Sequence, residues 1–115
     1  MRAGDNLTVL DLEQLRDITL NDAELMREVI VALIGDTSRQ MGLIESAIRE
    51  QNAQKCIELA HYSKGACVNL GANSAAALLK QIERDAASGD FAACGRSLVS
   101  LAREIDLLRA ESVNL

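Results

Sequence analysis

Apolar residues recur along this chain at steps of three and four, the period that turns one face of a helix toward a core. Asp11 is a suitable helix cap, and LEQLRDI after it predicts a short helix ending near Ile18. A long helix follows, capped by Asn21 or Asp22 and reaching about Gln51. Its apolar positions are Met26, Ile30, Leu33, Met41, Ile44 and Ile48, with Thr37 in the expected gap. Gly35 and Gly42 weaken it, but no proline breaks it. A third helix is predicted from Asn52 through KCIELAHYSKGACVNL to Gly71, and a fourth from Asn73 to Ala87 with Ala75, Leu79, Ile82 and Ala86 on one face. Ser88, Gly89 and Asp90 form a turn, and Asp90 can cap the last helix. There Phe91, Cys94, Leu98, Leu101, Ile105 and Leu108 step by threes and fours without a miss. The pattern predicts an all-α fold, an antiparallel four-helix bundle with a short additional N-terminal helix, as a single domain over residues 1–115.

Composition removes several classes of function. Twelve basic against seventeen acidic residues leave a net charge of −5, and the only aromatics are Tyr62 and Phe91. A nucleic-acid surface needs the opposite balance, cations for phosphates and rings for stacking. No apolar run approaches the ~18–20 residues of a membrane span, and the opening MRAGDNLTVLDLEQ lacks the apolar stretch of a secretory signal. A cytoplasmic protein is expected. Cys56, Cys67 and Cys94 are odd in number, lack metal-ligand spacing, and fall in apolar helical patterns, so they read as reduced core thiols. With one histidine in the chain, any imidazole chemistry belongs to His61.

On a helical wheel Cys56, Leu59, Ala60, Ser63, Cys67 and Leu70 gather on the core side of the third helix. Ile57, His61, Lys64, Gly65 and Val68 form a neighbouring stripe. Gly65 is costly in mid-helix, by ~1 kcal/mol relative to alanine. Its bareness would let another protein's backbone approach His61. A lone helical histidine is usually an incidental boundary residue, a lone lysine a solvated charge, and a helical glycine a packing device. It is the joint spacing that points to chemistry.

Residues 59–72, LAHYSKGACVNLGA, resemble the signature of histidine-containing phosphotransfer (HPt) domains, AHxLKGxxxxxGA. Ala60, His61, Lys64, Gly65, Gly71 and Ala72 all match, and the all-helical layout resembles the family over essentially the whole chain. The departure is Ser63, where the family usually has an apolar residue. The wheel buries it, and the Leu59 carbonyl four residues back is its expected hydrogen-bond acceptor.

The resemblance implies a phosphocarrier in a two-component phosphorelay rather than an enzyme. His61 would accept a phosphoryl group from the phospho-aspartate of a response-regulator receiver domain and pass it to another receiver, with a histidine kinase or hybrid kinase upstream. Lys64 would stabilise the phosphate, Gly65 would give steric access, and Ile57 and Val68 would dock the partner. No metal or cofactor is expected on this chain, since Mg2+ belongs to the partner receiver, and the protein is expected to be a monomer. Neutral imidazole, the major form of an ordinary histidine at pH 7, is a good nucleophile, and phosphoryl transfer asks mainly for positioning and charge stabilisation. The chain has no glycine-rich nucleotide loop, and Tyr62 stands where a kinase phosphoacceptor helix has an acidic residue. Two other readings are a receiver-binding adaptor that carries no phosphate and a general helical interaction scaffold.

Overall fold

The computed structural model describes residues 8–115; the start of the expected domain, residues 1–7, lies outside them. The described residues form five helices: α1 (Leu12–Ile18), α2 (Ala23–Arg49), α3 (Ala53–Leu70), α4 (Asn73–Ala87) and α5 (Phe91–Ser112). Four begin at a side-chain cap. Asp11, Asp22, Asn52 and Asp90 each accept backbone N–H bonds from the first turn, satisfying donors that a helix start leaves free. Of the two caps expected for the long helix, the structure uses Asp22, and that helix ends at Arg49, two residues short of Gln51. Gly35 and Gly42 do not interrupt it.

α2, α3, α4 and α5 pack each against its neighbours in a ring, with α5 returning to α2. This is the up-down bundle that short connections between antiparallel helices impose. Its core includes Ile30, Ile44, Leu79, Ile82, Leu101 and Leu108, all buried. Each such side chain contributes about 1.5–3 kcal/mol by leaving water. Met41, Ile48, Leu59, Leu70, Phe91 and Leu98 lie half-buried at its margin, and Ile34 and Ala47 join the core beyond the expected positions. Cys56, Cys67 and Cys94 are buried and free of disulfides. Burial pushes the Cys67 and Cys94 thiols up to about 11, so they stay protonated and unreactive.

One expectation at the core is corrected. Ser63 is buried as the wheel requires, but its hydroxyl makes no hydrogen bond to Leu59 or to any other described residue. The Leu59 carbonyl already serves the helical ladder, so the extra bond is optional, and the fold does without it. Thr37, buried on the facing α2, turns its hydroxyl toward the Cys67 thiol.

The turn between α3 and α4 is the tightest junction described. Gly71 closes α3 with φ +86°, a left-handed conformation that glycine adopts without a steric penalty. Ala72 behind it is fully buried. α1 lies against this turn. The Asp11 N–H donates to the Gly71 carbonyl at 2.8 Å, and the Gln14 side chain donates to the Val68 and Asn69 carbonyls at 2.7 and 3.2 Å. A Cβ added at Gly71 would stand 2.9 Å from the Asp11 carbonyl oxygen. Glycine is thus needed there twice, for its conformation and for its bareness. The hairpin it makes sets α4 beside the stripe of α3 that carries His61.

Candidate functional site

His61 stands on the outer face of α3 with 68% of its side chain exposed, and Lys64 follows one turn later, half-buried. Both reach across to Glu83 on α4. The His61 Nδ1 lies 3.2 Å from Glu83 Oε2, and the Lys64 ammonium lies 2.7 Å from Glu83 Oε1. One carboxylate, only 18% exposed, therefore holds two of the three residues expected to carry the chemistry.

Burial alone would raise the Glu83 pKa, but the Lys64 ammonium and the His61 ring more than offset it and hold the carboxyl below its ordinary value. Glu83 is then ionised at neutral pH, and an ionised carboxylate only accepts hydrogen bonds. The nitrogen facing it, Nδ1, must carry the proton. In the neutral ring the other nitrogen, Nε2, keeps its lone pair, and it faces away from the carboxylate. The arrangement fixes the tautomer as well as the orientation of the ring.

Gly65 lies beside the histidine, exposed, and a Cβ added there would meet nothing within 4 Å. Nothing inside the fold requires glycine at this position. Val68, one turn further on, is exposed and lines a shallow groove between α3 and α4, whereas Ile57 is half-buried against the core. Of the expected residues, the structure brings His61 and Lys64 together at one carboxylate. Gly65 and Val68 lie along the same surface, and Ile57, one turn before His61, is half-buried.

Glu83 is the functional residue that sequence reasoning missed. It is 22 residues from His61, in QIERDA, where it reads as ordinary surface charge. A signal for it existed in the hairpin register. His61 lies ten residues before Gly71 and Glu83 eleven after Ala72, so helices folding back at that turn bring the two level. Among the described residues no cluster of histidine, cysteine and acidic side chains could hold a metal ion, and no helix is long and apolar enough to cross a membrane.

Comparison with known proteins agrees with this geometry. The fold is similar to that of histidine-containing phosphotransfer protein B (HptB) from Pseudomonas aeruginosa PAO1, with a TM-score of 0.83 over 92% of each chain at 21% sequence identity. Among curated proteins no sequence is significantly similar to this chain. The family model described as Hpt domain matches residues 28–111, which include all of α3 and α4 with His61, Lys64, Gly65 and Glu83. With most of its length matched and a single exposed histidine oriented on the second helix of the bundle, the chain belongs to the Hpt domain family, the histidine phosphotransfer proteins of phosphorelays.

Proposed function

We propose that His61 accepts the phosphoryl group at Nε2 from the phospho-aspartate of a receiver domain and returns it to another receiver. The observation that carries this reading is the His61–Glu83 contact, which leaves Nε2 with the free lone pair on an exposed ring. In the forward step the Nε2 lone pair forms a bond to phosphorus while the bond from phosphorus to the aspartate oxygen breaks. The receiver carboxylate departs with that electron pair. The imidazole keeps its Nδ1 proton and becomes cationic, and the Glu83 carboxylate beside it offsets the charge that develops. Glu83 is a positioning residue, since it acts through the ring and not on the phosphate.

Lys64 has three N–H donors and one carboxylate contact, so it can turn to the incoming phosphoryl oxygens without leaving the site. Gly65 leaves room for the receiver's backbone, and Val68 and Ile57 supply apolar rim. Mg2+ acts in the receiver's pocket, and this chain is a carrier without kinase chemistry of its own, working as a cytoplasmic monomer between a kinase and its regulators. The intact set of His61, Lys64 and Gly65, with the ring oriented by Glu83, favours this over a receiver-binding adaptor that carries no phosphate.

The test is phosphorylation of His61 by phosphoramidate and by a phosphorylated receiver. Wild-type protein is expected to take an acid-labile, alkali-stable label, and His61→Gln none from either donor. Label retained by His61→Gln would overturn the assignment.

A further inference from the structure

On α4, Lys80 precedes Glu83 by three residues, the spacing at which a lysine and a glutamate on a helix surface ordinarily pair. Arg39 and Arg109 make such pairs with Asp36 and Asp106. Lys80 does not. Glu83 is turned instead toward His61 and Lys64, and Lys80, exposed, has no ion pair among the described residues. The contact that orients the histidine thus leaves an unpaired ammonium group one turn away, on a chain whose net charge is −5.

The surroundings of that ammonium are those of a contact surface. It lines the groove between α3 and α4, whose walls include Val68, Ala76 and Ala77 and which α1 closes at one end with Asp11 and Gln14. Asp11, the carboxylate of the lining, is engaged in capping α1 through the Gln14 N–H. The groove is shallow and floored by small side chains, so it cannot enclose a small molecule, but a protruding protein segment can lie in it. Lys64 also lines it, which makes it continuous with the His61 site.

We propose that Lys80 is a docking and specificity contact: it pairs with a carboxylate side chain of the receiver domain that seats its phospho-aspartate over His61. The inference rests on the phosphocarrier reading and goes beyond it, because it assigns partner choice to a residue that takes no part in the chemistry. A rim charge of this kind acts on encounter and on partner discrimination, and its effect is screened by salt. Partners with a neutral or basic residue at the matching position are disfavoured, since they leave the ammonium desolvated without a counter-charge.

The test uses the full chain and a panel of purified receiver domains phosphorylated with acetyl phosphate, taking forward the one that donates fastest to wild type. Lys80→Glu is expected to raise the KM for that receiver about tenfold, and Lys80→Ala about two- to fivefold, with the saturating transfer rate unchanged and the salt dependence flattened. Arg103→Glu, on α5 away from the groove, makes the same change in net charge and is expected to leave KM as it was. An unchanged KM in Lys80→Glu overturns the proposal, as does an equal rise in Arg103→Glu, which would trace the effect to net charge. A fall in the saturating rate with KM unchanged also overturns it, placing Lys80 at the phosphoryl group. Phosphoramidate labelling of wild-type His61, which needs no receiver, shows separately whether the carrier reading itself stands.

Discussion

Gly65 and Gly71 sit six residues apart in one sequence signature, the first inside α3 and the second at its end, yet the fold treats them oppositely. At Gly71 the backbone is left-handed, and an added Cβ would press on the Asp11 backbone at 2.9 Å. At Gly65 the backbone is ordinary helix, and an added Cβ would meet only open space. The first glycine answers to the interior, where α1 is pinned across the α3–α4 turn. The second costs helix stability and returns nothing to the folded chain, so its use lies with something outside it. The same division separates the two halves of the signature. Gly71 and Ala72 build the hairpin, while His61, Lys64 and Gly65 are displayed by it.

The sharpest way to break this comparison is to give each glycine a side chain. Gly71→Ala is expected to lose about 2–4 kcal/mol in chemical denaturation, from the left-handed backbone together with the displaced α1. Phosphoryl transfer by the fraction that folds should persist. Gly65→Gln should move the other way, gaining up to ~1 kcal/mol of stability from helix propensity. Its transfer from a phosphorylated receiver should slow by more than about tenfold, equivalent to ~1.4 kcal/mol of the barrier. A destabilised Gly65→Gln, or one that transfers at the wild-type rate, would show that the two glycines do not differ as described.

Ser63 sharpens the comparison from the buried side of the same helix. Its hydroxyl is buried with no hydrogen-bond partner among the described residues, so Ser63→Ala should stabilise the protein by about 0.5–2 kcal/mol while leaving transfer intact. Urea midpoints and a transfer assay on the same sample test both halves. A loss of transfer in a stably folded variant would mean the hydroxyl serves the active surface after all.

The smallest effect concerns pH. The folded-state pKa of Glu83 is lowered, so its contribution to stability is fully present above the ordinary carboxylate pKa of about 4.3. That contribution is lost as the pH falls through the lower, folded value. The stability difference between wild type and Glu83→Gln should therefore persist down to about pH 5 and shrink toward pH 3. Parallel denaturation curves at pH 5 and pH 3.5 check it. A difference that does not shrink between pH 5 and pH 3.5 would contradict the ionised carboxylate at the centre of the site.

Most of the helical layout was legible in the residues because it rests on local rules. Caps at Asp11, Asn52 and Asp90, the turn at Gly89 and the three-four spacing of the apolar positions act within one or two turns of chain. The burial of Ser63 and the exposure of His61 followed from the same wheel. What local rules could not reach was any contact whose partner lies on another helix. The Ser63 hydroxyl was expected to find its acceptor within its own helix, and it does not.

The sequence by itself determined the five helices, their buried faces, and a histidine, a lysine and a glycine sharing one exposed stripe, because periodicity is a property of a single helix. Only the tertiary structure decided that Glu83 would meet both His61 and Lys64. That meeting depends on how tightly the chain turns at Gly71 and Ala72, and hence on the register in which α4 returns along α3. From it follow the proton on Nδ1, the Nε2 lone pair of the neutral ring, and the ammonium of Lys80 left without an ion pair among the described residues. Each depends on where one carboxylate lies across a helix pair, and no helical period along the chain encodes that position.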